Sequence, residues 1–104
     1  GRTPLASASN AGHLDVVTFL LDHGADIKAV DIDGLTSLHI ASESGHLDVV
    51  KLLLNKGADI TATALDGDTA LHVASTNGHL EVVRLLLDKG ADIAAIDLSG
   101  NTPL

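Results

Sequence analysis

Apolar residues along this chain come in short bursts at helical spacing, separated by polar stretches punctuated by glycine. From about His46 to Lys56, Leu47, Val50, Leu53 and Leu54 recur with the period of one helix face, which predicts an amphipathic helix ending at Gly57. Just before it the pattern predicts a shorter helix, roughly Ser37 to Ser44, stopped by Gly45. Gly34-Leu35-Thr36 reads as the turn into that helix, with the Thr36 hydroxyl placed to accept from the free N–H groups of its first turn. The stretch from Ala58 to Gly67 is polar and turn-like, and its alternation predicts an extended finger.

These signals return every 33 residues. Units 1–33, 34–66 and 67–99 align without a gap, the first pair agreeing at 19 of 33 positions and the second at 21 of 33. Gly100-Asn101-Thr102-Pro103-Leu104 restarts the motif that opens the chain as Gly1-Arg2-Thr3-Pro4-Leu5. Proline suits the place after the cap, because the first helical residue has no intrahelical N–H bond to lose. Helices of two or three turns are marginal alone in water, so the units are expected to stack on one another as a single array, residues 1–104. Small residues on the first helix (Ala8-Ser9, Ala41-Ser42, Ala74-Ser75) allow close approach there, and bulkier Leu and Val on the second predict a curved stack with the first helices on its concave side.

Composition narrows the function. Apolar residues make up 45% of the 104, yet Phe19 is the one aromatic, so the core is aliphatic. Zero cysteine removes disulfides, thiolate metal sites and a cysteine nucleophile, and suits a reducing, intracellular (cytoplasmic) setting. Fourteen acidic against six basic residues, a formal charge of −8, argue against nucleic acid and against an anionic membrane surface as partners. No apolar run is long enough for a membrane helix, and no leader pattern opens the chain. A start at Gly1 without methionine reads as a processed, excised or engineered segment. The fourth unit's helices do not follow Leu104, so the third unit's packing face is expected to be open and able to associate.

Six histidines invite a metal or acid–base reading. Five fall on repeated positions (His13, His46 and His79; His39 and His72), and none lies in a metalloenzyme spacing, so structural hydrogen bonding is the expectation. His23, which replaces Lys56 and Lys89, is expected in solvent at a helix C-terminus. Asp26, Asp59 and Asp92 recur in Gly-Ala-Asp-Ile and read as turn formers. No nucleophile elbow, triad order or phosphate loop occurs, so neither catalysis nor a cofactor is expected.

Thr36-Ser37-Leu38-His39-Ile40-Ala41 and Thr69-Ala70-Leu71-His72-Val73-Ala74, with Gly-His-Leu-Asp/Glu-Val-Val at Gly12, Gly45 and Gly78, resemble the ankyrin repeat along the whole chain. The first unit departs from it, with Ala6-Ser7 where the others have His-Ile or His-Val. The resemblance implies an all-α repeat solenoid of helix-turn-helix units with β-hairpin fingers, and a protein-binding role through the fingers and the concave first helices. On the fingers this marks Val30, Ile32, Asp33, Leu35, Thr63, Leu65, Asp66, Asp68, Ile96, Leu98 and Ser99, with Arg2 and Asn101 at the two end turns. On the first helices it marks Asn10, Ala11, Glu43, Ser44, Thr76 and Asn77. One finger position is apolar three times, at Ile32, Leu65 and Leu98. Two readings of that ladder stay open: finger packing on finger, or an exposed stripe edged by acids for a protein partner with apolar anchors and a basic rim. The alternative role is architectural, as a natural or engineered repeat scaffold or spacer.

Overall fold

The computed structural model describes residues 1–104. Three helix pairs follow one another: α1 (Pro4–Ala11) with α2 (Leu14–Asp22), α3 (Ser37–Ser44) with α4 (Leu47–Asn55), and α5 (Ala70–Thr76) with α6 (Leu80–Asp88). First helices pack in one row, α1 on α3 on α5, and second helices in another, α2 on α4 on α6. The stack measures 37 × 26 × 20 Å.

Local chemistry sets each start and stop. Thr3, Thr36 and Thr69 cap the first helices, each hydroxyl accepting from the N–H three residues on. In units 2 and 3 the histidine at that third position completes a capping box: the Thr36 N–H donates to His39 Nδ1 at 3.1 Å, and the Thr69 N–H to His72 Nδ1 at 3.1 Å. Ala6 stands there in unit 1, so only the threonine half of the box forms. Gly45 ends α3 at φ +77°, and a Cβ on it would lie 2.6 Å from the His79 ring, so the position needs glycine for its conformation and for space. The second helices carry an acid in the first turn, Asp15, Asp48 or Glu81, where the helix dipole favours it.

The core is aliphatic, as the composition requires. Leu5, Leu38 and Leu71 from the first helices meet Val17, Val49, Val50, Leu53, Val82 and Leu86 from the second, all nearly free of solvent contact. Deleting a leucine side chain from such a site costs about 2–5 kcal/mol.

The fingers differ from expectation. No β-strand forms; the connections are tight turns. Asp31 Oδ1 accepts from the N–H groups of Asp33 and Leu35, and Asp97 Oδ1 from those of Ser99 and Asn101, at 2.9–3.0 Å. One backbone bond closes each turn, Asp31 N–H to Leu35 O, Ala64 N–H to Asp68 O and Asp97 N–H to Asn101 O, and in the first and last turns the carboxylate takes two further amides. One backbone bond joins each turn to the turn before it: Leu65 N–H to Asp33 O at 3.0 Å, and Leu98 N–H to Asp66 O at 2.9 Å.

Candidate functional site

The histidines form a seam between units. His39 Nδ1 accepts from Thr36, and its Nε2–H donates to the Asp68 carbonyl of the next unit at 2.9 Å. His72 repeats this with Thr69 and the Asn101 carbonyl at 3.0 Å. Pointing the other way, His46 Nε2–H donates to the Asn10 carbonyl at 2.9 Å and His79 to that of Glu43 at 2.8 Å. Burial holds the His39 pKa below 6.5, keeping the ring neutral, as its accepting Nδ1 requires. His23 is exposed at the end of α2, donating from Nδ1 to the Phe19 carbonyl at 2.8 Å. Asp26, Asp59 and Asp92 each accept from the N–H two residues on, as turn formers do.

With the seam internal, the finger turns and first helices are left facing a cleft of about 360 Å³ at the junction of units 2 and 3. Asp33, Leu35, Glu43, Leu65, Asp66, Asp68, Thr76 and Asn77 line it, drawn from two finger turns and the ends of two first helices. Ala64 and Val73 complete the lining, and sequence reasoning missed both. Val73 reads as a core position on α5, and Ala64 is the small residue where units 1 and 3 have Asp31 and Asp97. Four carboxylates face the cleft, and no Lys or Arg lines it. Lys51 and Lys89 border a separate hollow between α4 and α6 with Asn55 and Leu85.

Above the cleft the apolar finger position projects into solvent: Ile32, Leu65 and Leu98 are 81%, 70% and 80% exposed. The fingers also touch: Leu65 Cγ lies over Gly34 and Leu98 Cγ over Gly67 of the preceding turn, so the ladder is exposed and packed finger on finger at once. Ile96 is exposed too, while Val30 and Thr63 line another hollow, on the turns beside Ile27 and Ala58. Asn10 and Ser44 join each other across units 1 and 2, Ser44 Oγ donating to Asn10 Oδ1 at 2.8 Å, and Ala11 is exposed beside them. Ser99 and Asn101 belong to the last turn, where their N–H groups are held by Asp97.

One pair of positions changes character from unit to unit. In unit 1 Arg2 Nε pairs with Asp31 Oδ2 at 3.6 Å. In unit 2 the same positions hold Leu35 and Ala64, and in unit 3 Asp68 and Asp97. Burial, the hydrogen-bonded Asp97 carboxyl and nearby Asp66 push the Asp68 pKa up to about 6. Hydrogen bonding from the Asn101 N–H holds Asp97 low, so the shared proton resides on Asp68. Sequence reasoning foresaw no ligand cluster, yet Asp68, His72 and Asp97 bring donor atoms within 4.8 Å of one another. The His72 ring spends both nitrogens on Thr69 and Asn101.

No helix is long and apolar enough to cross a membrane. Comparison with known protein families finds ankyrin repeats (three copies) over residues 1–64 and an ankyrin repeat over residues 66–98. No curated protein is similar enough to count as a match. Ankyrin repeats are generally protein–protein interaction modules and generally non-catalytic. Two successive family matches, on a stack of helix pairs joined by a histidine seam, establish that this chain belongs to the ankyrin repeat family.

Proposed function

We propose that residues 1–104 act as one array that binds a protein partner through the finger turns and the first-helix row, without catalysis of its own. The observation that carries this reading is the acidic cleft at the unit 2–3 junction, overhung by exposed Leu65 and bordered by Asp33, Glu43, Asp66 and Asp68. The partner brings basic side chains to the carboxylates and apolar anchors to Ile32, Leu65 and Leu98. Uncompensated acids attract such a surface and disfavour acidic competitors. An intracellular, cytoplasmic setting fits the absence of cysteine.

The test replaces Leu65 and Leu98 by Arg and compares them with Lys51→Glu plus Arg84→Glu on the second helices. A partner recovered with the wild-type chain and identified is titrated against each. The finger variant is expected to lose affinity about tenfold or more, each factor of ten being ~1.4 kcal/mol. The second-helix variant is expected to keep it. Equal binding by the finger variant, with melting unchanged, overturns the reading in favour of an architectural role or a different face.

A further inference from the structure

Three side chains of the cleft share a sequence feature. Asp33-Gly34, Asp66-Gly67 and Asn77-Gly78 are the three places where Asp or Asn directly precedes glycine in this chain, and Asp33, Asp66 and Asn77 all line the cleft. The backbone nitrogen after such a side chain is one ring closure away from its Cγ, and glycine has no Cβ to hinder the approach. Asp33 and Asp66 present carboxylates, which resist attack by nitrogen. Asn77 presents an amide, which can leave as ammonia. The other asparagines, Asn10, Asn55 and Asn101, precede Ala11, Lys56 and Thr102, whose Cβ atoms crowd the same approach.

Ala11 and Ser44 are the counterparts of Asn77, so the reactive amide enters this position in unit 3 alone. It follows α5, which at seven residues is the shortest of the helices. Two hydrogen bonds hold the reacting groups apart: Asn77 Nδ2–H donates to the Val73 carbonyl at 2.8 Å, and the Gly78 N–H to the Ser75 carbonyl at 3.1 Å. Both belong to the last turn of a short helix, a part of the fold that opens at little cost.

We propose that Asn77 is a self-modification site, which deamidates through a cyclic imide with Gly78 each time that turn opens far enough. The Gly78 nitrogen gives up its proton to solvent base and bonds to Asn77 Cγ. The Cγ–Nδ2 bond breaks, and the side-chain nitrogen takes a proton and departs as ammonia. Water then opens the imide at either carbonyl, leaving aspartate at position 77 or isoaspartate, in which the main chain runs through Cγ. Either product adds a negative charge to a cleft that already holds Asp33, Glu43, Asp66 and Asp68. The Val73 carbonyl loses its side-chain donor, and an anion now sits at a helix C-terminus, where the dipole disfavours it. The chemistry needs no partner, so it stands or falls separately from the binding reading.

Peptide mapping by mass spectrometry tests it, on the whole chain held folded in warm, mildly alkaline buffer. Residues 75–80 as a free peptide in the same buffer report the rate without the restraint of α5. Asn77 in the folded chain is expected to show the mass gain of an amide turned acid, more slowly than the peptide, while Asn10, Asn55 and Asn101 keep their amides. Methyl transfer by an isoaspartate-specific enzyme is expected to label position 77, the mark of the imide route. Asn77→Ser, which carries the residue of unit 2, is expected to lose both signals and stay folded by circular dichroism, and Asn77→Asp to melt below it. An intact Asn77 after the free peptide has converted, conversion without isoaspartate, or equal conversion at the other asparagines overturns the proposal.

Discussion

Leu53 and Leu65 are the same residue type in the same unit, twelve positions apart, and the fold uses them in opposite ways. Leu53 lies on α4 in the core, wholly covered, while Leu65 stands at a finger tip in solvent. Leu53 has leucine counterparts at Leu20 and Leu86, as the stack demands. Around Leu65 the residues change from unit to unit: Val30, Thr63 and Ile96 at one position, Asp31, Ala64 and Asp97 at the next. Core positions repeat, and so does the apolar finger tip at Ile32, Leu65 and Leu98; the residues beside the tip vary. A solenoid needs every joint to be alike, whereas a recognition edge needs each unit to offer something different.

The largest effect that can break this contrast comes from truncating both leucines. Leu53→Ala is expected to cost about 2–5 kcal/mol by lost burial and a residual cavity. Leu65→Ala is expected to stay within ~0.5 kcal/mol, as exposed substitutions do. Denaturant melts of both measure the difference, and comparable losses would mean that the finger contact over Gly34 holds the fold as the core does.

A smaller effect separates the histidine seam from the acidic edge through pH. The His39 pKa is lowered in the fold, so its contribution is full above the ordinary 6.5 and is lost as pH falls through the lowered value. Asp68 has the opposite sign. Its pKa is raised from 3.8 to about 6, so the fold gains stability as pH falls through that interval and loses it as pH rises through about 6. Melting temperature followed from neutral pH downward on an Asp68→Asn background isolates the histidine, and it is expected to decline. His39→Gln on that background is expected to be less stable at neutral pH, by about 1–3 kcal/mol for the unpaired groups left behind, and to show a flatter profile. A profile unchanged by His39→Gln would remove the neutral ring from the account.

The smallest effect is Asp68→Asn by itself. At neutral pH the substitution removes a charge crowded by Asp66 and Asp97, so a slight rise in melting temperature is expected. The gain should shrink as pH falls through about 6, where Asp68 itself takes up a proton. A loss at neutral pH would show that its carboxylate helps hold the last turn.

Much of this contrast was legible in the amino-acid order. The Thr caps, glycine stops and apolar spacing placed α3 at Ser37–Ser44 and α4 within a residue at each end. Asp66, Asp68, Glu43, Thr76 and Asn77 were marked as a surface and meet at the cleft, whereas Ser44, marked with them, pairs with Asn10 outside it. The histidine targets were not legible, because Asp68, Asn101, Asn10 and Glu43 accept through backbone carbonyls, which leave no trace in residue identity. Alternation at Val30 to Asp33 suggested strands, but the segment closes as a tight turn, with one backbone bond across it from the Asp31 N–H to the Leu35 carbonyl and the Asp31 carboxylate holding the Asp33 and Leu35 amides. Val73 was hidden for another reason: an apolar helix position reads as core whether or not its edge borders a cleft.

The most direct test of the binding edge is hydrogen exchange of the chain with and without the partner identified through the wild-type chain. The account predicts slowed exchange in the turns around Asp33–Leu35 and Leu65–Asp68 and at Thr76 and Asn77, with residues 47–55 and 80–88 unchanged. Protection confined to those second helices, with the cleft exchanging as before, would contradict it.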